Sequence, residues 1–414
     1  MANDIYRIDL LATAGASTVE VTDDGSGSDW LVLKGTYGEI SEITLAWSTS
    51  YGQATSAAGT FWVTNSSGRN AGRLVVNGAI ENVRGSDSAD FIAGNELANI
   101  LYGDQSATGV GGSDSISGGG GGDTIFGGAG ADTIGGASGR DLIFGGTGDD
   151  TMSGGVDADT MEGGAGADFL AGGGDAGDTV SYKGSSAGTR LDITNGIATT
   201  GHGGDAEGDQ VTGFVNVIGS AFNDVFTDTV KTTVAFGYND NVFYGGAGND
   251  LLTLGGGADR GEGGAGNDTL RGEFGRDRLF GGDGADQLEG GLGADTLNGG
   301  LGKDVLHGGG GADRFVFATW ADSAAGANRD AIRDFSHSQG DKIDLHLIDA
   351  VPATLGDDAF AFRGTGAFTG AGQIRIQATT GGVLVQANQD ADATPELSIF
   401  IAGVSTLVAG DFIL

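Results

Sequence analysis

A nine-residue unit, Gly-Gly-x-Gly-x-Asp-x-U-x with U a large apolar residue, repeats in register in two blocks of the chain. A short fixed period constrains a fold more than any local propensity, because each unit can bury its apolar side chain only against copies of itself. The first block runs from Gly109 to Ala171 in seven units, with sixth-position residues Asp114, Asp123, Asp132, Asp141, Asp150, Asp159 and Asp168. The second runs from Gly245 to Val316 in eight units, with Asp250, Asp259, Asp268, Asp277, Asp286, Asp295, Asp304 and Asp313. Eighth positions are Ile, Leu, Met or Phe throughout, and only Gly261 departs. Three residues are too few for a helical turn to bury one face. As a strand, positions seven to nine put residue eight inward and its neighbours outward. The glycine-rich hexapeptide is then the turn. The expected fold is all-β: a right-handed parallel β-roll with flanking N- and C-terminal β-domains.

Composition agrees with that expectation and excludes several classes. Glycine supplies 85 of 414 residues, against a usual share of about 7%, which speaks against an ordinary mixed α/β enzyme. Acidic residues outnumber Lys and Arg by 56 to 20, for a formal charge of -36. Such a polyanion repels nucleic acid and anionic membrane surfaces, and its natural partners are cations. There is no cysteine, so neither disulfides nor thiolate metal sites hold the chain. No apolar run is long enough to span a bilayer. Asp4 and Asp9 stand where a secretory signal would carry positive charge and an unbroken apolar run. The N-terminus therefore reads as a first strand of the mature protein, and export would use no N-terminal signal.

A turn offering one carboxylate and several unhindered carbonyls is a hard-oxygen site, which suits Ca2+ with its six to eight oxygen ligands. One turn cannot supply them alone. If two nonapeptides make one coil, equivalent turns recur every 18 residues on one edge, so Asp114 would share an ion with Asp132, and Asp123 with Asp141. Pairing within each block predicts about eleven sandwiched ions. Without them the stacked aspartates repel, and one core side chain per repeat does not compensate for ordering so much glycine. Folding is expected to be metal-linked.

The repeat resembles the RTX (repeats-in-toxin) motif, whose ion is held by the sixth-position Asp and by backbone carbonyls, notably of the second and fourth residues. The resemblance implies those roles for Gly119, Gly121, Gly128, Gly130, Gly146, Gly148, Gly164 and Gly166 in the first block. In the second it implies them for Gly246, Gly248, Gly264, Gly266, Gly282, Gly284, Gly291, Gly293, Gly300, Gly302, Gly309 and Gly311. Departures fall at Ala137 and Glu273 (second positions), Asp157 (fourth) and Leu254 (first). A further stretch, Ala312–Phe317 with Arg329–Phe335 and Gly340–Leu345, is similar to the C-terminal domain of serralysin-type (peptidase M10) metalloproteases. Asp411, Phe412, Ile413 and Leu414 look like the acidic residue plus apolar tripeptide of an uncleaved type I secretion signal. Protease chemistry itself is not expected: a zincin needs His-Glu-x-x-His, and none of His202, His307, His337 and His346 begins one.

The organisation expected from these features is an N-terminal all-β domain (1–84), a first array (85–177), an irregular β connector (178–236), a second array (237–316) and a C-terminal β-domain (317–414). Trp30, Trp47 and Trp62 are read as core of the first of these, since a small domain needs large apolar side chains. Gly184-Ser185-Ser186-Ala187-Gly188 fits a nucleophile elbow, but a strand-like segment rather than a helix follows it. The function expected is non-enzymatic: a secreted, calcium-binding extracellular or cell-surface matrix protein. Its partners would be calcium, the type I secretion machinery during export, and a cell-surface glycan or protein. The rival is an exported hydrolase or carbohydrate-binding protein with its site in residues 1–84.

Overall fold

Each repeat folds as its pattern requires, with positions seven to nine opening a short strand whose middle residue is buried: Thr124–Ala129, Leu142–Thr147 and Thr160–Ala165 bury Ile125, Ile143 and Met161 completely. The computed structural model describes residues 85, 89–94, 96–104, 111–173, 177–193, 199–228, 240–352, 358–390 and 392–414. It also gives the backbone of strands Ile5–Asp9, Thr18–Val21, Trp30–Lys34, Glu42–Ala46, Arg73–Asn77 and Asn82–Arg84. Trp47, Trp62, the strand expected at 61–63 and Gly109 lie outside the described residues.

Two units make up the chain: Met1–Ser185 with Gly196–Asn216, and Ser186–Asn195 with Val217–Leu414. In the first unit, strands 18 residues apart pair in parallel with no offset. One sheet files Leu101, Ile125, Ile143, Met161 and Val180 along its inner face. The other files Ile92, Ile116, Ile134, Met152, Leu170 and Val211. The N-terminal strands are also parallel: Ile5–Asp9 pairs with Trp30–Lys34, and Asn82–Arg84 lies between the latter and Ile100–Tyr102.

The second unit repeats the arrangement, with Phe243, Gly261, Leu279, Leu297, Phe315 and Ile343 in one inner file. The facing file runs Leu191, Phe226, Leu252, Leu270, Leu288, Leu306, Ile332 and Ile401. The architecture is a parallel β-roll. Beyond residue 317 the parallel pattern gives way to an antiparallel meander of Gln373–Thr379, Gly382–Asn388 and Leu397–Ala402, although Lys342–Asp344 still pairs in parallel with Arg314–Val316 and with Phe412–Ile413.

At the start of the first block, Gly103 stands to Asp114 as a first-position glycine stands to its aspartate: a Cβ built on Gly103 would fall under 3.0 Å from Asp114 Oδ2, as one on Gly118 would from Asp123 Oδ2. The spacing from Gly103 to Asp114 is longer than between the other such pairs.

The two departures at Leu254 and Gly261 are one compensated exchange. Gly261 leaves the eighth-position place without a side chain, and Leu254, fully buried, fills it: its Cδ1 would lie 3.0 Å from a Cβ on Gly261. Leu254→Ala should therefore cost about 2–5 kcal/mol, as loss of a core leucine does. Leu254→Gly combined with Gly261→Leu, which restores the common pattern, should recover most of it. Urea unfolding in saturating calcium measures both, and a neutral Leu254→Ala would contradict the exchange.

Candidate metal centre

The backbone ladder that pairs the strands continues through the turns, because a carboxylate reaches from one coil to the next. Asp114 N donates to Asp132 Oδ1 at 2.7 Å, Asp132 N to Asp150 Oδ1 at 2.8 Å, and Asp150 N to Asp168 Oδ1 at 2.8 Å. The opposite edge carries the file Asp123, Asp141, Asp159. In the second unit one file runs Asp250, Asp268, Asp286, Asp304 and the other Asp259, Asp277, Asp295, Asp313, each step 18 residues long. The structure thus stacks the sixth-position residues in the pairs that the period predicts.

All fifteen are buried, with exposures of 0% to 3%. In every one Oδ1 is hydrogen-bonded while Oδ2 is buried without a hydrogen-bond partner among the described residues. In fourteen of the fifteen, all but Asp259, Oδ2 faces the Cα of a glycine at the first-position place; for Asp259 that place in the sequence holds Leu254. A Cβ on Gly118 would lie under 3.0 Å from both Asp123 Oδ2 and the Gly136 carbonyl oxygen, and one on Gly245 under 3.0 Å from Asp250 Oδ2 and the Gly263 carbonyl. A carboxylate oxygen and a carbonyl oxygen one coil on therefore converge on the same point. These first-position carbonyls were not among the ligands implied by the sequence. Their signal is the near-invariance of glycine at that position.

The twenty second- and fourth-position glycines named above all have positive φ, for example 115° at Gly128 and 127° at Gly130. That conformation puts their carbonyl oxygens between coils: a Cβ on Gly282 or Gly284 would fall under 3.0 Å from the carbonyl oxygen of Gly264 or Gly266. Three of the departures keep the same backbone at a steric cost. Ala137 (79°), Asp157 (74°) and Glu273 (72°) are the non-glycine residues with positive φ among those described. The turn closes in all three.

Burial without a compensating donor raises the carboxyl pKa throughout. Desolvation, opposed by the single backbone hydrogen bond and reinforced by neighbouring aspartates, pushes Asp114 and Asp259 up to about 8. It pushes Asp123, Asp150 and Asp286 up to about 7, and Asp277 and Asp295 up to about 6. Leaving so many buried carboxylates half-satisfied is costly unless something binds them. Hard oxygen donors, one carboxylate and several carbonyls per turn, fit Ca2+.

The ladders extend past the repeats to residues the period does not reveal. Asp168 N donates to Asp209 Oδ1, Asp224 N to Asp250 Oδ1, Asp304 N to Asp330 Oδ1 and Asp313 N to Asp341 Oδ1. Asp330 resembles the repeat aspartates, with Oδ2 buried and without a hydrogen-bond partner among the described residues. The other three are closed by protein donors instead. Tyr182 Oη donates to Asp209 Oδ2 at 3.2 Å, Ser220 N to Asp224 Oδ2 at 2.6 Å, and Ser336 N to Asp341 Oδ2 at 2.8 Å.

The tail residues pack rather than project. Asp411 is 5% exposed and accepts from Val408 N at 2.6 Å, with His337 Nδ1 2.8 Å from its other oxygen. Phe412 is buried, and Ile413 and Leu414 are partly exposed.

Comparison with known proteins agrees with the geometry. Residues 108–143, 144–178, 237–270, 255–288, 262–297 and 289–317 match the profile of the RTX calcium-binding nonapeptide repeat. The chain carries RTX calcium-binding repeats. No curated protein is significantly similar to it. Among solved structures it is similar to the solution structure of the AlgE6R3 subunit from the Azotobacter vinelandii mannuronan C5-epimerase. Identity is 31%, the match covers 36% of this chain and 78% of that one, and the TM-score is 0.26. None of the described helices is long and apolar enough to cross a membrane.

The raised carboxyl pKa values set the pH response. An acid held at about 6 to 8 in the folded chain but near 3.8 when unfolded binds protons more tightly when folded. Its contribution to stability is fully present below the unfolded value and is lost as pH rises through the folded one. In chelator, β-structure should therefore grow as pH falls from about 8 to about 4. With calcium the trend should reverse, because protons compete for the same oxygens. Circular dichroism across this range, with EDTA and with calcium, checks both signs.

Proposed function

We propose that the chain is a secreted calcium-binding protein whose two arrays fold on meeting extracellular Ca2+, and that its role is non-enzymatic, as a cell-surface or extracellular matrix protein. The observation that supports this is the set of fifteen buried Oδ2 atoms without a hydrogen-bond partner among the described residues, fourteen of which face a glycine Cα. In the proposed sites the ion is held between coils by these oxygens together with the carbonyls of the glycine turns.

Calcium supplies what the apo chain lacks. The inner files bury one side chain per nine residues, a thin core for the backbone entropy it must offset. At low calcium the carboxylates repel and the repeats stay extended, the state in which a type I exporter passes its substrate. At the higher calcium outside the cell the same carboxylates become ligands, so the ion acts both as structural partner and as signal of compartment.

Titration should show β-structure appearing at about 10⁻⁴ to 10⁻³ M calcium, the range of weak extracellular sites, and unchanged circular dichroism on EDTA treatment would refute the proposal. Asp286→Asn keeps the side chain's shape and removes its charge. Because Asp286 N also donates to Asp304 Oδ1 and Asp286 Oδ1 accepts from Asp268 N, its effect should spread cooperatively to neighbouring coils and shift the calcium midpoint for the whole second array.

A further inference from the structure

The outer faces of the two arrays differ in a way that the repeat does not require. In the second unit the seventh positions of one sheet bring Arg260, Arg278, Thr296, Arg314 and Lys342 side by side on five consecutive strands. With strands about 4.8 Å apart, four cations lie in a straight file about 19 Å long. The corresponding places in the first unit are Ile100, Thr124, Leu142, Thr160 and Thr179, without a charge.

The file opposes stability. Arg260 is directly beside Arg278, and Arg314 directly beside Lys342, and like charges placed opposite one another on a sheet destabilise it. Local compensation is incomplete. Glu262 pairs with Arg260, Asp344 pairs with Arg314, and Lys342 donates to the Gly410 carbonyl. Arg278 is exposed and forms no ion pair among the described residues. The Arg260 guanidinium is held 4.5 Å from the centre of the Phe280 ring, which fixes it on the outer face. In a chain of net charge -36, a cationic file of which only half is paired with carboxylates, kept at a cost, points to a ligand.

From this we infer that the outer face of the second array, along Arg260, Arg278, Arg314 and Lys342, is a docking surface for a linear anionic polysaccharide. The cations occupy one place on each strand, so the strip is a single file that one sugar chain can follow. Single-stranded nucleic acid is disfavoured because base stacking needs an open aromatic face, and that of Phe280 is covered by Arg260. The inference needs the folded roll but not secretion or a matrix role, so it stands or falls separately from the function proposed above.

The test uses the full chain in saturating calcium. Calorimetric titration with a short oligogalacturonate and with low-mass dextran sulfate separates carboxylate from sulfate recognition, and unsulfated dextran is the neutral control. At least one anionic probe should bind, should weaken as salt rises, and should lose at least about tenfold in affinity on Arg278→Glu. Arg278→Lys should keep most of the affinity. Calcium-induced circular dichroism of both variants should match the parent, since Arg278 is exposed, and this control separates lost binding from lost folding. The inference is overturned if neither probe binds at low salt, if Arg278→Glu leaves affinity unchanged, or if single-stranded DNA of matched charge binds as tightly.

Discussion

Fifteen carboxylates are buried with only one of their two oxygens satisfied, and the rest of the structure is organised around that imbalance. A buried carboxylate that accepts one backbone hydrogen bond is neither neutral nor paired, and its cost is repeated at every coil. The Oδ1 ladder solves the geometric part: it joins Asp114 to Asp132 to Asp150 and thereby sets the spacing of the turns. The Oδ2 atoms leave the electrostatic part unsolved. A cation between coils would resolve it, which is the physical basis of the proposed dependence of the fold on calcium.

The ends of the ladders show the alternative solution. Tyr182 at Asp209, Ser220 at Asp224 and Ser336 at Asp341 supply protein donors where the repeated units supply none. These carboxylates are complete without an ion. A ladder of identical units must end somewhere, and at these three places it ends on a residue whose second oxygen is already occupied. Asp330 is different, since its Oδ2 stays open at the junction with the C-terminal meander, which extends the half-satisfied pattern beyond the repeats themselves.

Charge is distributed by the same rule. Aspartates of the arrays are confined to turns, strand interiors are apolar, and the outward seventh and ninth positions are free to vary because neither packing nor the turn constrains them. The first array uses them for a stack of Tyr102, Phe126 and Phe144, with ring centroids 4.7 and 4.9 Å apart. The second uses them for arginines. Positions under the weakest structural constraint are therefore where the two arrays, otherwise equivalent, can differ in what they contact.

Period, strand positions, inward residues and the pairing of aspartates at 18 residues were legible in the sequence, because all follow from a local unit that recurs without insertion. The place of Gly103 beside Asp114 and the role of Leu254, which read as a departure although it fills the space at Gly261, were not legible: both depend on which residues meet across coils. Asp209, Asp224, Asp330 and Asp341 were invisible for the same reason, since a ladder position is defined by the backbone amide it accepts from and not by a motif around it. The chain by itself determined a stacked roll of calcium-binding repeats, because a nine-residue unit with one apolar and one acidic residue buries the first only by stacking and brings the second together at the turns. Only the tertiary structure decided which oxygens remain open, how the ladders end and which outward residues line up, because these are properties of contact between coils.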